Sequence, residues 1–125
     1  MRQISSKKFK NIANRIRERI VQIGLTSDYK VVHYGGALSI VEIITYAYTC
    51  FLSLNPLDKN NIKRDRFVLS KGHASLCYYT ILAHNGYFSL EEVKTLKKYK
   101  SNFGAIPVKS YIYLKVKNKF MRIIL

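Results

Sequence analysis

With 125 residues, 22 Lys and Arg against 7 Asp and Glu, and a formal charge of +15, the chain has room for one small, strongly basic domain. A composition of 48% hydrophobic and 23% charged residues is that of a globular chain and argues against wholesale disorder. The charge directs attention to nucleic acid, anionic membranes or phosphorylated substrates, and it equally repels other copies of the chain.

Two cysteines, Cys50 and Cys77, are too few for a disulfide framework. A secretory signal is not expected, because IANRIRERI, with Arg15, Arg17, Glu18 and Arg19, stands where an unbroken apolar core should be; the basic, acid-poor start also has the composition of an organellar transit peptide. The most apolar stretch, residues 38–54, is interrupted by Ser39, Glu42, Thr45, Thr49 and Ser53, which is below what a membrane span needs. A soluble, reduced, cytoplasmic protein is the expectation.

In chain order, Ile12, Ile16, Ile20 and Ile23 recur at helical spacing, with Asn14, Arg15, Arg17, Glu18 and Arg19 between them. This predicts an amphipathic helix from about Ser5, with Gly24 as its stop. The adjacent Gly35 and Gly36 imply a sharp turn or a close approach of the backbone to something else. A largely apolar, buried helix is predicted over residues 38–53, ended by Asn55-Pro56. Phe67-Val68-Leu69 suits one buried strand of a parallel sheet. Residues 74–85 read as a helix stopped by Gly86, and Ser89 with Glu92 forms a capping box for a short helix to about Lys100. Residues 108–125 carry five positive and no negative charges, and Tyr111–Val116 reads as a strand with no partner following it. No internal repeat is present.

The segment richest in chemistry is residues 64–75, where a strand leads through Ser70-Lys71-Gly72-His73 into a helix. Strand ends in α/β sheets bind ligands, and a helix start favours anions such as phosphate, with Lys71 and His73 as added donors. The same pattern equally fits a plain turn with solvated charges. His33, beside Gly35-Gly36, is a candidate ligand contact or simply a polar surface residue. His33, Cys50, His73 and Cys77 can be drawn as a zinc site, but no CxxC or HxxxH pair supports it, and no metal residue is assigned. There is no P-loop. Tyrosines interleaved with lysines, as in residues 111–115, offer stacking surfaces for bases, but no nucleic-acid recognition motif accompanies them.

IANRIRERI, VHYGGALSIVEI and NPLDKNNIKRDRFVLSKGHASLCYYTILAHNGYFSLEEVKTL, in this order, resemble the start of the N-terminal, diphosphate-binding domain of transketolases, including those made as two subunits. The resemblance covers about residues 12–107. It implies an α/β thiamine diphosphate-binding fold, here incomplete: mostly helical, with one or two parallel strands. The implied chemistry is transfer of a two-carbon ketol unit between sugar phosphates, as in the pentose phosphate pathway, with thiamine diphosphate and Mg2+ as cofactors. By resemblance His33 is the catalytic histidine beside the thiazolium and substrate hydroxyls, and His73 lies against the diphosphate. Lys71 and Gly72 sit at the same phosphate end, and Gly35 and Gly36 let the backbone approach the cofactor. The implied partners are a sugar phosphate and either a second copy, in a homodimer, or a C-terminal transketolase subunit. No specific nucleic acid and no membrane are expected.

The departures are specific. Where the family has Gly-His-Pro, this chain has Ala105-Ile106-Pro107, and Ile106 can neither hydrogen-bond nor carry a proton. The family's Gly-Asp-Gly motif with its downstream Asn, and the pyrimidine-binding domain with its activating glutamate, have no counterpart in these residues. The expectation is therefore a truncated domain over residues 1–107, followed by a basic tail, 108–125, unlike the family and compatible with out-of-frame reading. Such a chain is expected to be inactive alone. The alternative function is a small basic protein, derived from this fold, that binds nucleic acid or anionic surfaces.

Overall fold

Ser5 opens the first helix: its Oγ accepts the N–H of Lys8 at 3.3 Å, satisfying a donor that would otherwise be orphaned. The computed structural model describes residues 2–26, 32–58, 61–65, 67, 69–95, 114–116 and 119–121. Helix α1 (Ser6–Thr26) buries Ala13, Ile16, Ile20 and Ile23, the predicted stripe, with Ile12 at its edge. It does not stop at Gly24. A Cβ there would overlap the Tyr34 hydroxyl and ring, so this glycine lets a tyrosine lie against the helix, and α1 runs on to Thr26.

Of the helix expected over residues 38–53, residues 41–51 form one continuous run whose last turn is widened, and a separate short helix precedes it. Helix α2 (Tyr34–Leu38) contains both glycines, and α3 (Val41–Tyr46) follows after Ser39 and Ile40. A π-helical turn, Ala47–Phe51, then ends where Leu52 becomes extended. Thr49 Oγ1 donates back to the Thr45 carbonyl at 2.7 Å, a competition with the backbone ladder that accompanies such widened turns. Glycines 35 and 36 therefore lie within a helical turn rather than a sharp one; among the described glycines only Gly86 has positive φ, at 83°.

Beyond a 3-10 turn at Gly72–Ala74, helix α4 (Ser75–His84) buries every side chain from Ser75 to Ile81. It touches α1, α2, α3 and the short α5 (Leu90–Lys94), so it is the hub around which the apolar faces close. The predicted capping box is present: Glu92 N–H reaches Ser89 Oγ at 3.1 Å, and Glu92 Oε1 accepts the Ser89 N–H at 2.9 Å. Residues 96–100, into which that helix was expected to continue, lie outside the described residues.

Two strand expectations are corrected. Phe67 and Leu69 are buried, yet no parallel strand forms among the described residues. Phe67 stacks on Tyr78 at 5.7 Å and meets Tyr48 edge-on at 5.5 Å, so ring packing anchors Phe67, while Asp65 just before it is hydrogen-bonded to Ser53. In the tail, β1 (Leu114–Val116) does have a partner: it pairs antiparallel with β2 (Lys119–Met121). The mostly helical part of the expected fold class is thus seen; its parallel strands are not. Ala105, Ile106, Pro107 and the boundary placed there lie outside the described residues.

Ile20 is fully buried, and Ile20→Ala should lower stability by about 2–5 kcal/mol in urea unfolding, whereas the same change at partly buried Ile12 should cost clearly less. His84 Nδ1 lies 3.1 Å from Arg19 Nη1, and because arginine only donates, this nitrogen accepts and the ring is neutral. Burial first, then the charges of Arg19 and Arg15, pulls its pKa below the ordinary 6.5. The unfolded chain therefore binds this proton more readily, and stability should fall as pH drops through 6.5 toward the lowered native value. His84→Gln should flatten the fall in stability that begins as pH drops through 6.5 in denaturant titrations.

Candidate functional site

Helix α2 begins at His33, which is its N-cap residue but makes no side-chain capping bond. The imidazole is exposed and meets the exposed ring of His73 edge to face, with centroids 4.6 Å apart and planes at 87°. Two motifs distant in sequence are thus joined by α2 packing against the 72–74 turn.

The contact depends on Gly36. A Cβ there would stand 2.9 Å from the His73 carbonyl oxygen and 3.1 Å from its carbonyl carbon and Cβ, closer than neighbouring atoms tolerate. Gly35 has nothing within 4 Å of the same position and faces open space. Lys71 closes the site from its own turn, its Nζ donating to Ser39 Oγ at 2.9 Å. Gly72 opens the 3-10 turn that carries His73. All six candidate residues from the sequence therefore fall in two adjoining turns.

Ser39 is the residue that sequence reasoning did not single out for the site. Its signal was present: a polar side chain three positions beyond Gly36, on the same helical face.

The anion-binding expectation at the start of α4 is modified by the 3-10 turn. The N–H of Ala74 bonds the Lys71 carbonyl at 3.0 Å, and that of Ser75 bonds the Gly72 carbonyl. Hydrogen-bond donors at this place come instead from side chains. The set is one ammonium and two imidazoles, beside a glycine cradle that a Cβ would fill, and it suits a phosphate-bearing group. It does not suit Mg2+, which takes oxygen ligands. Among the described residues no three His, Cys, Asp or Glu side chains gather, so the zinc drawing also fails to assemble. Cys77 is fully buried, and burial pushes its thiol up to about 12, leaving no thiolate at neutral pH.

A separate cleft of about 640 Å³ lies between α1, the N-terminal segment and α3, with Phe9, Ala13, Tyr46 and Cys50 in its wall. It shares no lining residue with the histidine pair. No helix of the described residues is long and apolar enough to cross a membrane.

The two glycines separate the packing role from open space. Gly36→Ala should destabilise by about 1–3 kcal/mol through overpacking and shift the His73 ring signals in proton NMR. Gly35→Ala should be neutral or stabilise by up to about 1 kcal/mol, because only helix propensity changes.

Residues 9–111 match the family described as transketolase, thiamine diphosphate binding domain. The chain is 33% identical over 103 residues to transketolase 2 of Escherichia coli K12, covering 82% of this chain and 15% of that protein. It is 35% identical over 91 residues to one of the subunits of apulose-4-phosphate transketolase from Phocaeicola vulgatus, covering 73% of this chain and 32% of that one. It is 41% identical over 66 residues to the 6-deoxy-6-sulfo-D-fructose transketolase subunit SqwG of a Clostridium species, covering 53% and 24%. The match thus spans a third or less of each of these relatives. With a matched stretch that takes in most of α1, all of α2 through α5 and both histidine-bearing turns, the chain belongs to the transketolase family, in its thiamine diphosphate-binding domain.

Proposed function

We propose that this chain forms the diphosphate-binding side of a transketolase-type active site, in an enzyme that moves a two-carbon ketol unit between sugar phosphates. The carrying observation is the meeting of His33 and His73 at 4.6 Å over a glycine that only a bare backbone could occupy. When bound, thiamine diphosphate supplies the electron sink that carbon–carbon cleavage beside a carbonyl requires.

The roles of the chain's own groups follow from their chemistry. Lys71 directs its positive charge toward the diphosphate, and Gly72 keeps the backbone beside it clear. His73 donates a hydrogen bond to a diphosphate oxygen. His33, exposed and not engaged in capping, exchanges protons with substrate hydroxyls. Gly35 leaves space for the cofactor to approach α2.

The described residues hold no metal cluster, so the ligands for Mg2+ are assigned to protein outside them. The pyrimidine side is likewise assigned to a completing subunit or to a second copy, a reading favoured by the similarity to relatives that are themselves named as transketolase subunits. These 125 residues are then expected to bind cofactor without turning over substrate. Residues 1–107 are taken as the family part and 108–125 as a basic tail, in a cytoplasmic protein. The nucleic-acid alternative draws on net charge and on the tyrosines among lysines in residues 111–115, with no recognition motif beside them.

Calorimetric titration of the chain with thiamine diphosphate and with thiamine, with and without Mg2+, tests the reading. Preference for the diphosphate form is expected, and its absence would sink the proposal. His73→Ala should weaken thiamine diphosphate by about 10- to 100-fold, the range for a hydrogen bond to a charged group. Gly35→Ala should keep the fold and still weaken binding. His33→Ala should leave affinity nearly unchanged and act on turnover, measured once the completing subunit is added.

A further inference from the structure

We infer that Ser39 is a positioning residue for the phosphate end of this site: its hydroxyl holds the Lys71 ammonium in place before any ligand arrives. The inference rests on the functional reading above and deepens it. Ser39 stands at the C-terminal end of α2, where its Oγ donates to the Gly36 carbonyl at 3.0 Å. A hydroxyl has one proton to give and two lone pairs to offer. With the proton committed to Gly36, the lone pairs face Lys71, whose Nζ lies 2.9 Å away.

The two bonds complete a clasp between the two motifs. Gly36 is the residue whose backbone touches His73, so α2 grips the 71–73 turn at two points, by packing at His73 and by hydrogen bonding at Lys71. Lys71 has no carboxylate partner among the described ion pairs, which are Arg17–Glu42 and Lys94–Glu91. A neutral hydroxyl therefore orients this cation without cancelling its charge. Among the described residues one N–H of the ammonium is engaged, by Ser39, which leaves donors for an incoming anion. A free lysine would lose rotamer freedom on binding a phosphate; one already held has less to lose. Because the bond is exposed to water, its effect is modest.

The test uses the full chain and three probes: thiamine diphosphate, inorganic diphosphate and thiamine, each with Mg2+. Ser39→Ala should weaken both diphosphates by about three- to tenfold and leave thiamine unchanged, and Ser39→Thr should restore the loss. Ser39→Val, equal in shape to Ser39→Thr but without the hydroxyl, decides the point if the alanine variant does not fold. Combining Ser39→Ala with Lys71→Ala should add nothing to the loss from Lys71→Ala alone. Equal loss for thiamine and the diphosphates, full additivity with Lys71→Ala, or no loss at all would overturn the role of Ser39. Should the unaltered chain bind neither diphosphate, the functional reading itself falls; should it bind and Ser39→Val match Ser39→Thr, only this inference does.

Discussion

The close approach of α2 to the 72–74 turn is the contact on which the site depends. At Gly36 the backbone lies where a Cβ would come within 2.9 Å of the His73 carbonyl oxygen, so a single methyl group would push the two turns apart. The histidine rings meet only because this spacing holds. Protein interiors are packed too densely to absorb such a displacement locally, and any shift would be passed to the imidazoles.

That approach is supported from behind by α4. Its buried residues leave it no polar face, so it is stable only when α1, α2, α3 and α5 cover it. The Tyr48, Phe67 and Tyr78 rings extend the same core under the segment that leads into Lys71. The two turns of the site thus rest on one hydrophobic cluster. Elsewhere the cover is thinner: Ile43 and Tyr46 on α3 remain 43% and 44% exposed, and Phe51 in the π turn 36%.

Electrostatics assigns the site its character. The histidine pair and Lys71 stand in a chain with a surplus of fifteen positive charges. Of the carboxylates, Glu42 is tied to Arg17, Glu91 to Lys94, and Asp65 accepts the Ser53 N–H. The field at the exposed imidazoles therefore favours an anionic ligand, and a hydroxyl is the group that holds the lysine there.

Elements that rest on local rules were legible in the residues. The isoleucine stripe, the capping box and the halt at Gly86 each need only side chains three or four positions apart, or one glycine free to take positive φ. The two histidine motifs were legible as a family resemblance. What local rules could not decide was set by contacts distant along the chain. Gly24 read as a stop because its real partner, the Tyr34 ring, belongs to another helix. Phe67 and Leu69 had the composition of a strand, but a strand exists only when a neighbour pairs with it, and here packing on Tyr48 and Tyr78 satisfies Phe67 instead. By itself the sequence determined the amphipathic helices, their caps and the membership of the family. Tertiary structure decided that Gly36 is required against His73 and that Ser39 holds Lys71, because both contacts join residues more than thirty positions apart.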